Sequence, residues 1–149
     1  MTGLDVFDKT IEKTNFLLQN IEIELGWENH RHHSYQALRV VLQAWRDRLP
    51  VNDAANLSAQ LPILVRGIYF EGWKPEEVPL KMTAEDFAER VRCELPLDLK
   101  ISVTDLIRIV LGQVFYAIDP LEQSKIRRSL PEDYGRFFDE PNFESWLHT

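Results

Sequence analysis

Residues 35–73 read YQALRVVLQAWRDRLPVNDAANLSAQLPILVRGIYFEGW, and their periodicity decides the fold class. Tyr35, Leu38, Val41, Leu42, Trp45 and Leu49 recur at spacings of three and four, which is one face of a helix. The spacing predicts a helix from about Ser34 to Leu49, with Arg39, Gln43, Arg46 and Asp47 mostly on the opposite side. Pro50 stops it, because proline lacks an amide hydrogen and clashes with the preceding turn. A short helix follows at about 52–60, with Leu57 and Leu61 inward. Pro62 fits the first turn of the next helix, where its missing N–H costs nothing. That helix buries Leu61, Val65, Ile68 and Tyr69. Gly67 inside it costs about 1 kcal/mol relative to alanine, which predicts a close helix crossing there.

Working outward, residues 5–25 place Phe7, Ile11, Thr14, Leu18, Ile21 and Leu25 on one helical stripe. Asp5 is the expected cap, and Gly26 the expected left-handed end. Residues 26–33, GWENHRHH, are polar and read as a loop. Residues 72–82 carry a glycine and two prolines and form the connection at mid-chain. Thr83 and Asp86 open a fifth helix that buries Phe87, Val91 and Leu95 and closes at Pro96. Ser102 and Asp105 open a sixth, with Ile107, Val110, Leu111, Val114 and Ile118 inward. Asp119, Pro120 and Glu122 start a short seventh that buries Leu121 and Ile126. An eighth begins near Pro131 and buries Tyr134, Phe137 and Phe138, after which Phe143 and Trp146 are expected to dock. No segment alternates with period two, so the class is all-α, with about eight helices.

The chain repeats itself. Shifted by 69 residues, 39–71 aligns with 108–140 without a gap, with six identities in 33 positions: Arg39/Arg108, Val41/Val110, Leu42/Leu111, Leu61/Leu130, Pro62/Pro131 and Glu71/Glu140. Chance would give about two. The apolar positions coincide as well: Leu49 falls on Ile118, Leu57 on Ile126, and Tyr69 on Phe138. The expectation is one domain over 1–149, with homologous four-helix repeats at about 5–73 and 83–142. Each half alone would have a marginal core, so the two are expected to pack across a pseudo-twofold axis into one compact bundle-like unit. The copies are not equivalent. Leu64 becomes Asp133, Arg66 becomes Gly135, and the Gly-Trp after Glu71 becomes Pro-Asn after Glu140.

The phrases ALRVVLQAWRDRLP and AQLPILVRGIYFEGW together closely resemble a bacterial family known as domain of unknown function 2267. The resemblance is strongest over 35–73 and extends more weakly through FAERVRCEL and SLPEDYGRFFDE. It implies a compact helical protein and carries over no activity and no catalytic residue.

Composition narrows the function classes. The formal charge is 17 − 24 = −7, which argues against non-specific binding to nucleic acid or anionic membranes. One cysteine, Cys93, permits no intrachain disulfide and suits a reducing compartment. No basic start is followed by an apolar run, and no apolar run reaches the roughly 18 residues of a membrane span. A cytoplasmic location is expected.

No catalytic motif is present, so a non-enzymatic module without a cofactor is the favoured expectation. It would bind a protein partner or a second copy of itself, and neither nucleic acid nor membrane. Its candidate surface is Tyr69, Phe70 and Trp73 with Arg46, Arg48 and Arg66. Phe70 is out of phase with the buried stripe, which predicts that Phe70 or Trp73 is exposed. Arg46, Asp47, Arg48, Arg66, Gly72 and Trp73 are also unshared by the second copy. The alternative is a small-molecule or metal-binding protein that uses an inter-repeat pocket or His30, His32, His33 and Glu28. The spacing of that cluster is neither HExxH nor a zinc finger, and solvated loop histidines are the default. Cys93 between Val91 and Leu95 reads as structural. Lys125, Arg127 and Arg128 read as a solvated basic face beside Glu122, Glu132 and Asp133.

Overall fold

A computed structural model describes residues 2–96, 100–116 and 118–138. These residues form α1 (Asp5–Glu24), α2 (Arg31–Arg48), α3 (Val51–Ser58) and α4 (Ile63–Phe70). A 3-10 turn at Pro75–Glu77 leads to α5 (Ala84–Glu94), α6 (Val103–Phe115), α7 (Pro120–Arg128) and a second 3-10 turn at Glu132–Phe137. No strand occurs among the described residues, as the periodicity predicts. No helix among them is long and apolar enough to cross a membrane.

The centre of the fold is α2. It packs against α1, α4, α5 and α6, so most of its circumference meets protein. Ala37, Leu38, Val40, Val41, Leu42, Ala44 and Trp45 are all fully buried, as a helix enclosed by neighbours requires. Within the first half, α1 meets α2 and α4, and α2 meets α4. Within the second, α5 meets α6 and the 132–137 turn, and α6 meets that turn. Between halves, α1 meets α6, α2 meets α5, and α2 meets α6. Exchanging α1 with α5, α2 with α6, and α4 with the last turn maps this set of contacts onto itself.

Most predicted caps form. The Thr83 side chain accepts from the Asp86 amide while Asp86 accepts from the Thr83 amide, a reciprocal capping box. Ser102 accepts from the Asp105 amide, and Asp119 from the Leu121 amide with Pro120 in the first turn. Gly26 takes φ +70°, the left-handed end expected of it. At α1 the expectation fails: the cap position is Leu4, with no side-chain cap, and Asp5 pairs instead with Lys9 at 2.9 Å.

Other departures have local causes. The second helix starts at Arg31 rather than Ser34, because the chain turns earlier, at Asn29 with φ 62° and with the His30 amide on the Trp27 carbonyl. Ser34 is therefore helical, and its hydroxyl donates to the Leu18 carbonyl at 2.8 Å, tying α2 to α1. Arg46, assigned to the outer side of α2, is buried. Phe7 is in phase with Thr14 and Ile21, yet it sits near the start of α1 and is half exposed. Leu121 is exposed rather than inward. The expected eighth helix is a 3-10 turn carrying Gly135, a residue that weakens an α-helix. A Cβ added to Gly67 would meet nothing within 4 Å, so no element crosses closely there. The mid-chain connection folds back, and its Leu80 amide donates to the Asp47 carbonyl at 2.7 Å. Phe143 and Trp146 lie outside the described residues.

Candidate functional site

A helix leaves its last carbonyls without intrahelical donors, and short helices have few other groups to satisfy them. In the first half, arginines do this work. The Arg46 guanidinium reaches from α2 to the end of α4, where Nη1 donates to the Tyr69 carbonyl at 2.8 Å and also to the Glu71 carbonyl. Its Nε meets Asp47 Oδ1 at 3.0 Å, which offsets the burial of the charge. Gly72, at φ +78°, turns the backbone close past that guanidinium: an added Cβ would lie 3.9 Å from Arg46 Nη2. Arg66 closes α3 in the same manner, with Nε donating to the Ser58 carbonyl at 2.9 Å and Nη2 to the Leu61 carbonyl at 3.2 Å. Arg48 lies over the Tyr134 ring, 5.4 Å from its centroid, with its Nε buried and unpartnered among the described residues.

The nominated aromatics are not a free patch. Tyr69 is fully buried and its hydroxyl donates to the Ala54 carbonyl at 2.9 Å. Burial pushes that hydroxyl well above its usual value of 10.0, against the pull of Arg46. Phe70 and Trp73 are half-buried against the core, in a row where Tyr69–Phe70 and Phe70–Trp73 centroids are each 5.0 Å apart. Trp73 Nε1 is buried without a partner among the described residues. Arg46, Arg66 and Tyr69 thus support the fold from within, while Phe70 and Trp73 form the edge of the core.

The histidines fall at the start of α2, His30 at its cap and His32 and His33 in its first turn, and they separate into pairs. His30 and His33 stack at 4.8 Å, His33 meets the Trp27 ring edge-on at 5.5 Å, and His32 Nε2 lies 3.4 Å from Gln36 Nε2. Stacked imidazoles direct their nitrogens side by side rather than toward one point. Among the described residues, no group of three or more His, Cys, Asp or Glu is placed to hold a metal ion, Glu28 included. Cys93 is exposed, with Sγ 3.4 Å from Glu89 Oε1.

Exposed apolar side chains lie elsewhere, among them Phe16, Ile23, Tyr116 and Leu121, and four others flank the junction of α1 and α4. Leu4, Phe7, Ile63 and Leu64 are 52%, 50%, 54% and 45% exposed. The Leu64 amide donates to Thr10 Oγ1 at 2.9 Å, which brings the start of α4 to the helical turn after Phe7. Inward periodicity hid Phe7. The repeat marks Leu64, whose counterpart is Asp133, and the same shift pairs Ile63, which the sequence reading does not single out, with Glu132. Their exposure shows that Ile63 and Leu64 are not buried in the core.

The family model described as "Uncharacterized conserved protein (DUF2267)" matches residues 14–137, most of the chain. The chain belongs to the DUF2267 family. The DUF2267 match runs from inward-facing Thr14 on α1 to Phe137, so it spans both halves of the chain and includes Ile63 and Leu64. Leu4 and Phe7 precede it. The family description assigns no activity. No curated protein matches the chain.

Proposed function

We propose that this DUF2267 protein is a non-enzymatic interaction module that docks an apolar protein surface at the junction of α1 and α4. One observation carries the reading. Leu4, Phe7, Ile63 and Leu64 are each about half exposed, the Leu64 amide on Thr10 Oγ1 holds the start of α4 against α1, and the 69-residue shift pairs Ile63 and Leu64 with the acids Glu132 and Asp133. Covering half-exposed side chains of this size yields about 1 kcal/mol each, or a few kcal/mol for the patch, which is enough to anchor a modest interface. The net charge of −7 supports a protein rather than a nucleic-acid partner.

The test compares the native protein with an Ile63→Glu/Leu64→Asp double variant. Sedimentation velocity over a concentration series reads self-association, and affinity capture from the source cells reads other partners. The variant should fold normally and lose the association. A wild-type protein that stays monomeric, and captures nothing that the variant does not, sinks the proposal.

A further inference from the structure

Under the 69-residue shift, Gly135 stands where the first copy has Arg66. The first copy shows what that arginine does: it donates to the carbonyls of Ser58 and Leu61. The matching carbonyls in the second copy belong to Arg127 and Leu130. No described side chain donates to either of them, although the Arg127 carbonyl keeps its backbone bond from the Leu130 amide. A cavity of about 160 Å³ opens at this place, lined by Arg127, Leu130, Glu132, Tyr134, Gly135 and Phe138. A Cβ added at Gly135 would meet nothing within 4 Å. The cavity therefore borders Gly135, the position that the 69-residue shift pairs with Arg66.

We infer that this cavity is a guanidinium site, which takes from outside the group that Arg66 supplies from within. A planar guanidinium offers several donors in a fixed fork, suited to two neighbouring carbonyls. Glu132 on the rim adds an opposite charge. Among the described lining residues Arg127 is the cation that opposes another, and its guanidinium is already engaged, as is that of Arg48, which lies over the Tyr134 ring. The Arg127 guanidinium lies 4.4 Å from the Phe138 ring centroid and donates to the Phe138 carbonyl at 3.5 Å. With Glu132 the formal charge of the lining is zero, within a chain of net charge −7. The site is separate from the apolar patch on α1 and α4 and does not depend on it.

The test is an NMR titration of the full chain with Nα-acetyl-arginine N-methylamide, with free L-arginine, and with the corresponding blocked lysine. Saturable shifts at Leu130 and Gly135 are expected for an arginine compound, with a midpoint of roughly 1–10 mM. The blocked lysine should bind about fivefold more weakly or worse, since it presents a point charge. Response to the blocked arginine assigns the source to an arginine within a polypeptide; response to the free amino acid alone assigns it to arginine itself. Gly135→Arg should fill the cavity from within, abolishing the titration and raising the melting temperature. Glu132→Gln should weaken binding and leave the fold intact. Protein carrying Ile63→Glu/Leu64→Asp should titrate as wild type. No arginine response, an equal lysine response, or a Gly135→Arg protein that still titrates would overturn the inference.

Discussion

The Trp45 indole meets the Phe87 ring edge-on, with centroids 5.7 Å apart and planes at 90°. Trp45 comes from α2 in the first half of the chain and Phe87 from α5 in the second, so the contact joins the halves. Phe115, Tyr134 and Phe138, all from the second copy, surround the same indole at 5.5–6.3 Å. Trp45→Ala should cost about 3–5 kcal/mol in chemical denaturation, from lost transfer energy plus the cavity left between the halves. A loss below about 1 kcal/mol would show that the halves do not depend on this contact. Trp45→Phe should cost less, because among the described residues Trp45 Nε1 has no hydrogen bond to lose.

Arg46→Met should destabilise by about 2–4 kcal/mol, since it leaves the Tyr69 and Glu71 carbonyls without their buried donor. Asp47 would keep Arg90, which it meets at 2.8 Å, so the loss should concentrate at the end of α4. Hydrogen exchange should show the amides of α4 losing protection more than those of α5. Arg46→Lys should rescue only part of the loss, because an ammonium cannot reproduce the fork.

Alkaline pH should weaken the fold through Tyr134. Burial raises its hydroxyl to about 12, with Arg48 pulling the other way. Tyrosines in the unfolded chain release their protons near pH 10. Between about 10 and 12 the folded state therefore binds more protons than the unfolded state, and stability falls as pH rises. Below about 10 both states are protonated and this contribution is constant. The denaturation midpoint should drop across that window, and Tyr134→Phe should show a smaller drop. Buried Tyr69 acts in the same direction.

Gly67→Ala should stabilise the protein by about 0.5–1 kcal/mol. The position lies inside α4, an added Cβ meets nothing within 4 Å, and alanine restricts the unfolded chain. A thermal melt reads the sign. Destabilisation would mean that the helix is held closer to a neighbour than its open surroundings indicate.

Thr83→Ala should cost about 1 kcal/mol by removing one side of the capping box at α5. Asp86→Ala should cost a similar amount. The double variant should cost less than the sum, because each single change already breaks the reciprocal pair.

The class of the protein and most of its helices were set by local chemistry, and so were legible in the sequence. Apolar spacing marked the helices, and Thr83, Ser102, Asp119 and Gly26 marked their ends, because caps act within a few residues along the chain. The 69-residue repeat carried one step further: it flagged Leu64 and Arg66 as positions that differ between the copies. What those differences mean was decided by the tertiary structure. Arg46 reads as a solvent residue on α2 until the end of α4, more than twenty residues later, brings carbonyls to its guanidinium. Phe7 reads as core until the start of α1 leaves it half exposed. Gly135 reads as a lost side chain until a cavity lies beside it. Hydrophobic periodicity records which side of a helix is apolar, but whether another element covers that side depends on contacts between residues far apart in the chain.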